Sequence, residues 1–334
     1  MGEVLSMGSK LKVVITDHRF ANIEIQQKVL SEIEAQLVVG QAKSEDEIIE
    51  ISRDAHGILV ARSNISAKII HALENCKVMV RYGVGVDNID VPAATQKGIM
   101  VSNVLDYCVD EVADHALALI LSLARKIVFS ARRVQAGEWT IQNLKPLKRL
   151  CGQTVGVVGY GRIGKLLAKK ASAVGFKVLA HDPFVGAAGS EADAVTFVPL
   201  ETILRESDFV SLHTPLTEDT AGMIAKKQLD RMKDSACLVN VSRGALVDEA
   251  ALIAALEENR IAGAGLDVLV EESANPDHPL QKMEQVIVTS HTAFYSEEAI
   301  QDLQRKAAQK VVTALSGQIP EPLVNPEVLK IIQK

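Results

Sequence analysis

The sequence predicts an α/β protein built on two doubly wound parallel sheets. Three observations carry this reading. Short β-branched runs alternate with capped amphipathic segments along the chain. The alternation stops once, at a long helical stretch that begins near residue 109, and then restarts. A glycine-rich turn follows directly on the first strand of the second series. With ~100–200 residues per domain, a chain of 334 residues has the length for two.

Taken in order, the first series has strand candidates at 11–16, 36–39, 57–61, 77–81 and 99–103. Helix candidates lie between them, one announced by the capping box Ser44-Glu45-Asp46-Glu47. The long helix spans about 109–125, with apolar residues at Val112, Leu117, Leu119 and Ile120. It leads into a polar segment holding the only tryptophan, Trp139, and the basic run 145–149. Strand candidates of the second series are 154–158, 177–181, 209–213, 237–241, 263–268 and 285–289. A last helix, from 296 to about 315, precedes a proline-punctuated tail at 320–326.

Composition narrows the classes of function. Hydrophobic residues make up 48% and charged residues 23%, which suits a packed globular protein and not a disordered one. A net charge of −6 offers no electrostatic footprint for nucleic acid or an anionic membrane, so neither is an expected partner. The apolar runs, 116–121 and 250–256 being the longest, are far short of the ~20 residues that cross a bilayer. No secretory segment follows the N-terminus, and Met1-Gly2-Glu3-Val4-Leu5-Ser6 fits a myristoylation pattern without a basic second anchor. Cys76, Cys108, Cys151 and Cys237 show no metal spacing and read as reduced thiols of a cytoplasmic protein. No metal is expected.

The turn Gly159-Tyr160-Gly161-Arg162-Ile163-Gly164 follows a strand and opens a helix, the context that a dinucleotide fingerprint demands. Gly159 permits the tight turn, Gly161 lets backbone approach a pyrophosphate, and Gly164 lets helix press on strand. The helix N-terminus favours the phosphate charge. Asp182 closes the next strand, where a carboxylate accepts from ribose hydroxyls and repels a 2′-phosphate. Pro183 and Phe184 bring no guanidinium to receive that phosphate. NAD is the expected cofactor.

Three further strand ends carry groups that apolar packing would not choose. Arg243 follows Asn240-Val241-Ser242, Asp267 leads on to Glu271 and Glu272, and His291 follows Thr289-Ser290. Arginine, carboxylate and histidine suit hydride reduction of a 2-keto acid: a guanidinium fork for the substrate carboxylate, a proton donor, and an anion that keeps the ring charged. Arg62 and Arg81, each after a strand of the first series, are either surface ion-pairing residues or receivers of a second anionic group.

From about Leu11 to Glu327 the chain resembles the D-isomer-specific 2-hydroxyacid dehydrogenases. The resemblance is carried by Arg81-Tyr82-Gly83-Val84-Gly85-Val86-Asp87-Asn88-Ile89-Asp90, the 159–164 turn and Leu212-His213-Thr214-Pro215-Leu216. Val239-Asn240-Val241-Ser242-Arg243-Gly244, Gly265-Leu266-Asp267-Val268 and His291-Thr292-Ala293 complete it. Tyr107–His115 and Ala293-Phe294-Tyr295-Ser296 look most like the branch of the C-terminal-binding-protein co-repressors. The resemblance implies a Rossmann cofactor domain at 106–290, inserted into a flavodoxin-like substrate domain of 1–105 and 291–334. It implies Arg243, Glu272 and His291 as the catalytic trio, with Val84 and Gly85 presenting backbone N–H groups to the substrate carboxylate. The resemblance also implies Val84 near the nicotinamide, Thr214, Pro215 and Thr220 lining the adenosine side, and Val241, Ser242 and Asp267 lining the nicotinamide side. Homodimers are common in the family.

Two departures bear on the site. Ser290 and Ser273 stand where the family pattern has prolines, and without the second proline Glu271 and Glu272 are harder to tell apart. Counting from Asp267 selects Glu272. The leading expectation is an NAD-dependent enzyme acting on a small 2-keto or 2-hydroxy acid. The rivals are an NAD(H)-sensing scaffold like the co-repressors and a phosphoglycerate-dehydrogenase-like enzyme for a doubly anionic substrate. A formate-dehydrogenase-like enzyme is disfavoured by a glutamate at 272.

Overall fold

The computed structural model describes residues 10–185, 195–273 and 275–332, so the Met1–Ser6 pattern lies outside the described residues. The contacts divide the chain into two compact units, with boundaries at Tyr107/Cys108 and Tyr295/Ser296. The first unit therefore takes residues from both ends of the sequence. Its strands are β1 (Lys12–Ile15), β2 (Gln36–Val39), β3 (Gly57–Val60), β4 (Val78–Arg81) and β5 (Met100–Ser102). Their order in the sheet is β2-β1-β3-β4-β5, the flavodoxin-like arrangement.

The second unit holds β6 (Thr154–Val158), β7 (Lys177–His181), β8 (Val195–Phe197), β9 (Phe209–Leu212), β10 (Cys237–Asn240), β11 (Gly263–Leu266) and β12 (Val286–Val288). The order β12-β11-β10-β9-β6-β7-β8 is the doubly wound dinucleotide pattern, extended by one strand. Every pairing between these strands is parallel. Parallel sheets are covered on both faces, which is why their strands read as continuous apolar runs. The runs Gly57–Val60, Phe209–Leu212 and Cys237–Asn240 are buried at every position.

The expected strands agree with the observed ones to within one or two residues at each end, with one omission. The three-residue β8 pairs with β7 and ends on Phe197, whose ring meets Tyr160 edge-on at 4.9 Å. A second helix, Ile127–Gln135, lies in the segment read as polar. Lys126, in left-handed backbone at φ 51, breaks it from the long helix Val109–Ala124. That long helix packs on β10 and β11. Gly265 makes room for it, since a Cβ there would lie 3.2 Å from Leu119.

The helix Glu297–Leu315 covers β3 and β4 of the first unit. Ser296 caps it by accepting from the Ala299 amide at 2.9 Å. The fit to β3 needs Gly57, where a Cβ would come within 2.9 Å of Val311. Beyond this helix, Asn325 is 1% exposed and stands in for a strand neighbour of β5. Its Oδ1 accepts from the Val101 amide at 2.8 Å, and its Nδ2 donates to the Ile99 carbonyl at 2.9 Å. Each amide left unpaired at that edge would cost about 1–3 kcal/mol.

The boundaries at Cys108 and Ser296 differ from the expected 106 and 291. The second difference has a physical reason: the amides of His291, Thr292 and Ala293 all donate to Asp267, which keeps this turn with the second sheet.

Candidate active site

The parallel sheet of the second unit brings the carboxyl ends of its strands to one edge, and contacts stitch neighbouring ends together. At the end of β6, Gly159 has a φ of +93. A Cβ there would lie 2.7 Å from the His213 carbonyl carbon, so glycine admits the end of β9. Gly164 is needed for a similar reason, because a Cβ would overlap the Gly159 carbonyl oxygen. Gly161 differs: it is exposed, caps the helix Arg162–Val174, and would meet nothing within 4 Å if it bore a Cβ. Open space therefore lies over the amides that begin this helix, Arg162 and Ile163 among them, in the arrangement that receives a pyrophosphate.

Asp182 stands beyond β7, with one carboxylate oxygen accepting from the Tyr160 amide at 2.8 Å and the other from the Phe184 amide at 2.9 Å. Each oxygen keeps a lone pair for a ribose hydroxyl. The buried Tyr160 and the half-buried carboxylate thus fit a dinucleotide. Thr220 braces the loop after β9, its Oγ1 donating to the Pro215 carbonyl at 2.7 Å and accepting from the Thr217 amide at 2.8 Å. Thr214 donates to Met223 Sδ at 3.5 Å. Burial pushes the His213 imidazole down to about 4, and its Nε2 lies 2.8 Å from Ser211 Oγ.

Ser242 joins the end of β10 to that of β9 by donating from Oγ to the Leu212 carbonyl at 3.0 Å. Asn240 shapes the same turn, accepting from the Ser242 amide at 3.0 Å and donating to the Arg243 carbonyl at 2.8 Å. Val241 is buried there, and Arg243 is half-buried, its Nη1 donating to the Ser242 carbonyl at 2.8 Å. The next residue, Gly244, presses against the chain beyond β11: a Cβ there would overlap the Leu269 carbonyl and the Val270 amide.

Past β11 the buried Asp267 accepts from the Thr292 amide and the Ala293 amide, each at 2.9 Å, and from Thr289 Oγ1 at 2.5 Å. Its own carbonyl accepts from the His291 amide at 2.8 Å. His115, on the long helix, adds to this hub through Nε2, 2.9 Å from Thr289 Oγ1. These bonds hold His291 in left-handed backbone at φ 52, a conformation that costs a non-glycine residue of order 1 kcal/mol or more. The His291 ring meets Phe294 edge-on at 6.1 Å. Its Nδ1 lies 2.7 and 2.8 Å from the two Glu272 carboxylate oxygens. Glu271 turns elsewhere, accepting from Ser273 Oγ at 3.1 Å. Nδ1 being so engaged, Nε2 is the ring nitrogen left to exchange a proton with another molecule.

Arg62, Arg81, Val84 and Gly85 belong to the first unit. Arg62 is exposed and its amide donates to Asp17 at 2.7 Å. Burial acts to raise the Asp17 carboxyl, but hydrogen bonds from Arg62, Ser63, Thr16 and Ala61 outweigh it and hold the group below its usual value. Arg81 donates to the Tyr82 carbonyl at 2.7 Å and occupies the space where a Gly83 side chain would be. Val84 is exposed, with its carbonyl accepting from Asn103 Nδ2.

A family model described as the NAD binding domain of D-isomer specific 2-hydroxyacid dehydrogenases matches residues 117–293. The glyoxylate reductase of Korarchaeum cryptofilum is 40% identical over 322 residues, 93% of this chain and 97% of that protein. The chain belongs to the D-isomer-specific 2-hydroxyacid dehydrogenase family. It is an NAD-dependent oxidoreductase that interconverts D-2-hydroxy acids and 2-keto acids. The D-3-phosphoglycerate dehydrogenase of Archaeoglobus fulgidus is 38% identical, and the dehydrogenase chain spans 54% of its length. The D-lactate dehydrogenase of Aquifex aeolicus, complexed with NAD and lactic acid, superposes with a TM-score of 0.84 at 27% identity. That match covers 93% of this chain and 98% of the other.

Sequence reasoning assigns no role to Gly244, which stands in a motif of the resemblance, nor to Glu249 or to His278, which reads as a surface or packing residue; all three meet the ends of the loop bearing Glu272. A glycine directly after a strand-end arginine was the available signal. Among the described residues, no group of three or more His, Cys, Asp or Glu is placed to hold a metal ion. No helix of the described residues is long and apolar enough to cross a membrane.

Two measurements follow from this geometry. Gly244→Ala should lower stability by about 3 kcal/mol, since backbone and not a flexible side chain must give way; a denaturant midpoint checks it. His213 has a folded value near 4, below the ordinary 6.5. As pH falls below about 6.5 the unfolded chain takes up a proton that the native ring refuses, so stability is lost between pH 6.5 and 4. The loss is at most about 3 kcal/mol. His213→Gln should therefore show a smaller drop in melting temperature between pH 7 and 4.5 than wild type, measured without cofactor.

Proposed function

We propose that Arg243, Glu272 and His291 carry the chemistry of this dehydrogenase. The observation behind the reading is the Glu272 carboxylate seated on Nδ1 of His291 at 2.7 and 2.8 Å. A carboxylate there accepts from Nδ1–H and fixes the orientation and tautomer of the ring. In reduction, His291 Nε2 gives a proton to the carbonyl oxygen of the keto acid; in oxidation it takes one from the hydroxyl. Arg243 holds the substrate carboxylate in its two-pronged fork. NADH, when bound, supplies the hydride that makes the carbonyl carbon tetrahedral.

The 159–164 turn and Asp182 hold the cofactor in this reading. Thr214, Pro215 and Thr220 serve its adenosine side, and Val84, Val241, Ser242 and Asp267 its nicotinamide side. Val84 and Gly85 offer amides to the substrate carboxylate. Glyoxylate is the substrate we favour, because a glyoxylate reductase matches the chain over nearly the full length of both. Exposed Arg62 is the observation in favour of a doubly anionic substrate, such as that of the phosphoglycerate dehydrogenases. In keeping with a reaction that draws on soluble NAD(H), we read the enzyme as cytoplasmic. We read the enzyme as a homodimer, with a second copy covering Ile127 (54% exposed), Trp139 (90%) and Ile141 (67%).

An NADH-absorbance assay with glyoxylate, hydroxypyruvate, pyruvate, oxaloacetate and phosphohydroxypyruvate tests the substrate. Glyoxylate should give the highest kcat/KM; a preference for phosphohydroxypyruvate would favour the doubly anionic reading, and a higher value for any other keto acid would overturn glyoxylate. Arg243→Lys keeps the charge and loses the fork, so it should raise KM and lower kcat together, with kcat/KM falling about a hundredfold, a loss of ~3 kcal/mol. Trp139→Glu should halve the mass measured by light scattering while each copy stays folded by circular dichroism.

A further inference from the structure

The loop that carries Glu272 is exposed at Val270 (59% exposed), at Glu271, Glu272 and Ser273, and again at residues 275–277. Exposed loop backbone has few packing contacts of its own to hold its course. One residue outside the loop touches both of its ends. Glu249 opens the helix Glu249–Glu257, which Asp248 caps by accepting from the Ala251 amide at 3.0 Å. Glu249 Oε2 accepts from the Val270 amide at 3.2 Å, and Oε1 lies 3.0 Å from His278 Nε2. His278 in turn caps the helix Pro279–Lys282, its Nδ1 accepting from the Leu280 amide at 3.3 Å. With Nδ1 an acceptor, Nε2 carries the hydrogen and donates to Glu249. The pair is better sheltered than the loop, with side chains 23% and 13% exposed. Gly244 backs the same end of the loop through its close approach to Leu269 and Val270.

We propose that Glu249 is a positioning residue of the reaction, which pins the 270–278 loop at Val270 and His278 so that the Glu272 carboxylate stays on His291 Nδ1. This rests on the reading of Glu272 and His291 as the acid–base pair. Without the clamp the loop samples conformations in which Glu272 has left the ring, and only the fraction with the pair formed turns over at the full rate. A cap that served stability alone would lower the melting temperature and leave turnover of the folded enzyme unchanged.

The test is a double-mutant cycle on the full chain, with glyoxylate and NADH as reactants and with keto acids of the panel as back-up. Glu249→Ala should lower kcat about tenfold and leave KM for NADH within about twofold, because the nucleotide turn is untouched. In a Glu272→Gln background the same change should cost less than about twofold in kcat, since the charge it positions is gone. His278→Asn keeps an acceptor for the Leu280 amide and removes the contact to Glu249. It should show a smaller loss with the same masking, and it decides the matter where Glu249→Ala does not fold. Equal losses in both backgrounds, or wild-type kcat in Glu249→Ala, would overturn the proposal while leaving the acid–base reading standing. Wild-type kcat in Glu272→Gln alone would overturn that reading, and the positioning role with it.

Discussion

Strand direction is the constraint on which the rest of this molecule depends. Because the seven strands described in the second unit run in parallel, every one delivers its carboxyl end to the same edge of the sheet. Residues far apart in sequence therefore meet there without any long excursion of the chain. Contacts then run from one strand end to the next, through Tyr160 and Asp182, Gly159 and His213, Ser242 and Leu212, Gly244 and Leu269, and Asp267 and the His291 turn. Each is a short polar bond or a backbone approach that only glycine allows. Small shifts at one end would pass to its neighbours, which is how a row of separate turns behaves as a single rigid edge.

Asp267 shows the energetic cost that such an edge accepts. A buried carboxylate is unfavourable unless its oxygens are satisfied, and here hydroxyl and amide donors from the His291 turn satisfy them. The same bonds compensate the left-handed backbone of His291. Desolvation of one residue and strain in another are thereby offset by a shared set of hydrogen bonds, and both groups are held where a less connected loop would let them drift.

Most of the architecture was legible because its signals are local. Apolar runs of four or five residues, the capping serine at 44 and the glycine turn at 159–164 need no distant partner to be recognised. At Ser44 even the bond is as expected, with Oγ accepting from the Glu47 amide at 3.3 Å, although Glu47 reaches back to the Lys43 amide and not to that of Ser44. What escaped was set by tertiary contact. The strand β8 is only three residues long and owes its extended shape to pairing with β7. The helix after Lys126 hides behind a non-glycine left-handed residue, which no composition rule flags. Glu271 and Glu272 are chemically identical neighbours; the count from Asp267 selects Glu272, but the reason it is this one that faces His291 lies in the course of the loop. Gly244 and Glu249 act on chain some twenty residues ahead of them, so their own surroundings in sequence are silent about it.

The composition of the first unit from both ends of the chain has a consequence in time. Its sheet is covered by the helix Glu297–Leu315 and its edge at β5 is closed by Asn325. On the ribosome, the first five strands are made early and must wait for those pieces, while residues 108–295 can close their own sheet as soon as they emerge. At ~5–20 residues per second the wait is roughly ten seconds or more. For that interval the apolar faces of β3 and β4 lack the helix that shields them. The nascent chain is thus most in need of chaperone protection at these five strands, which are made before the second unit and are covered only after it.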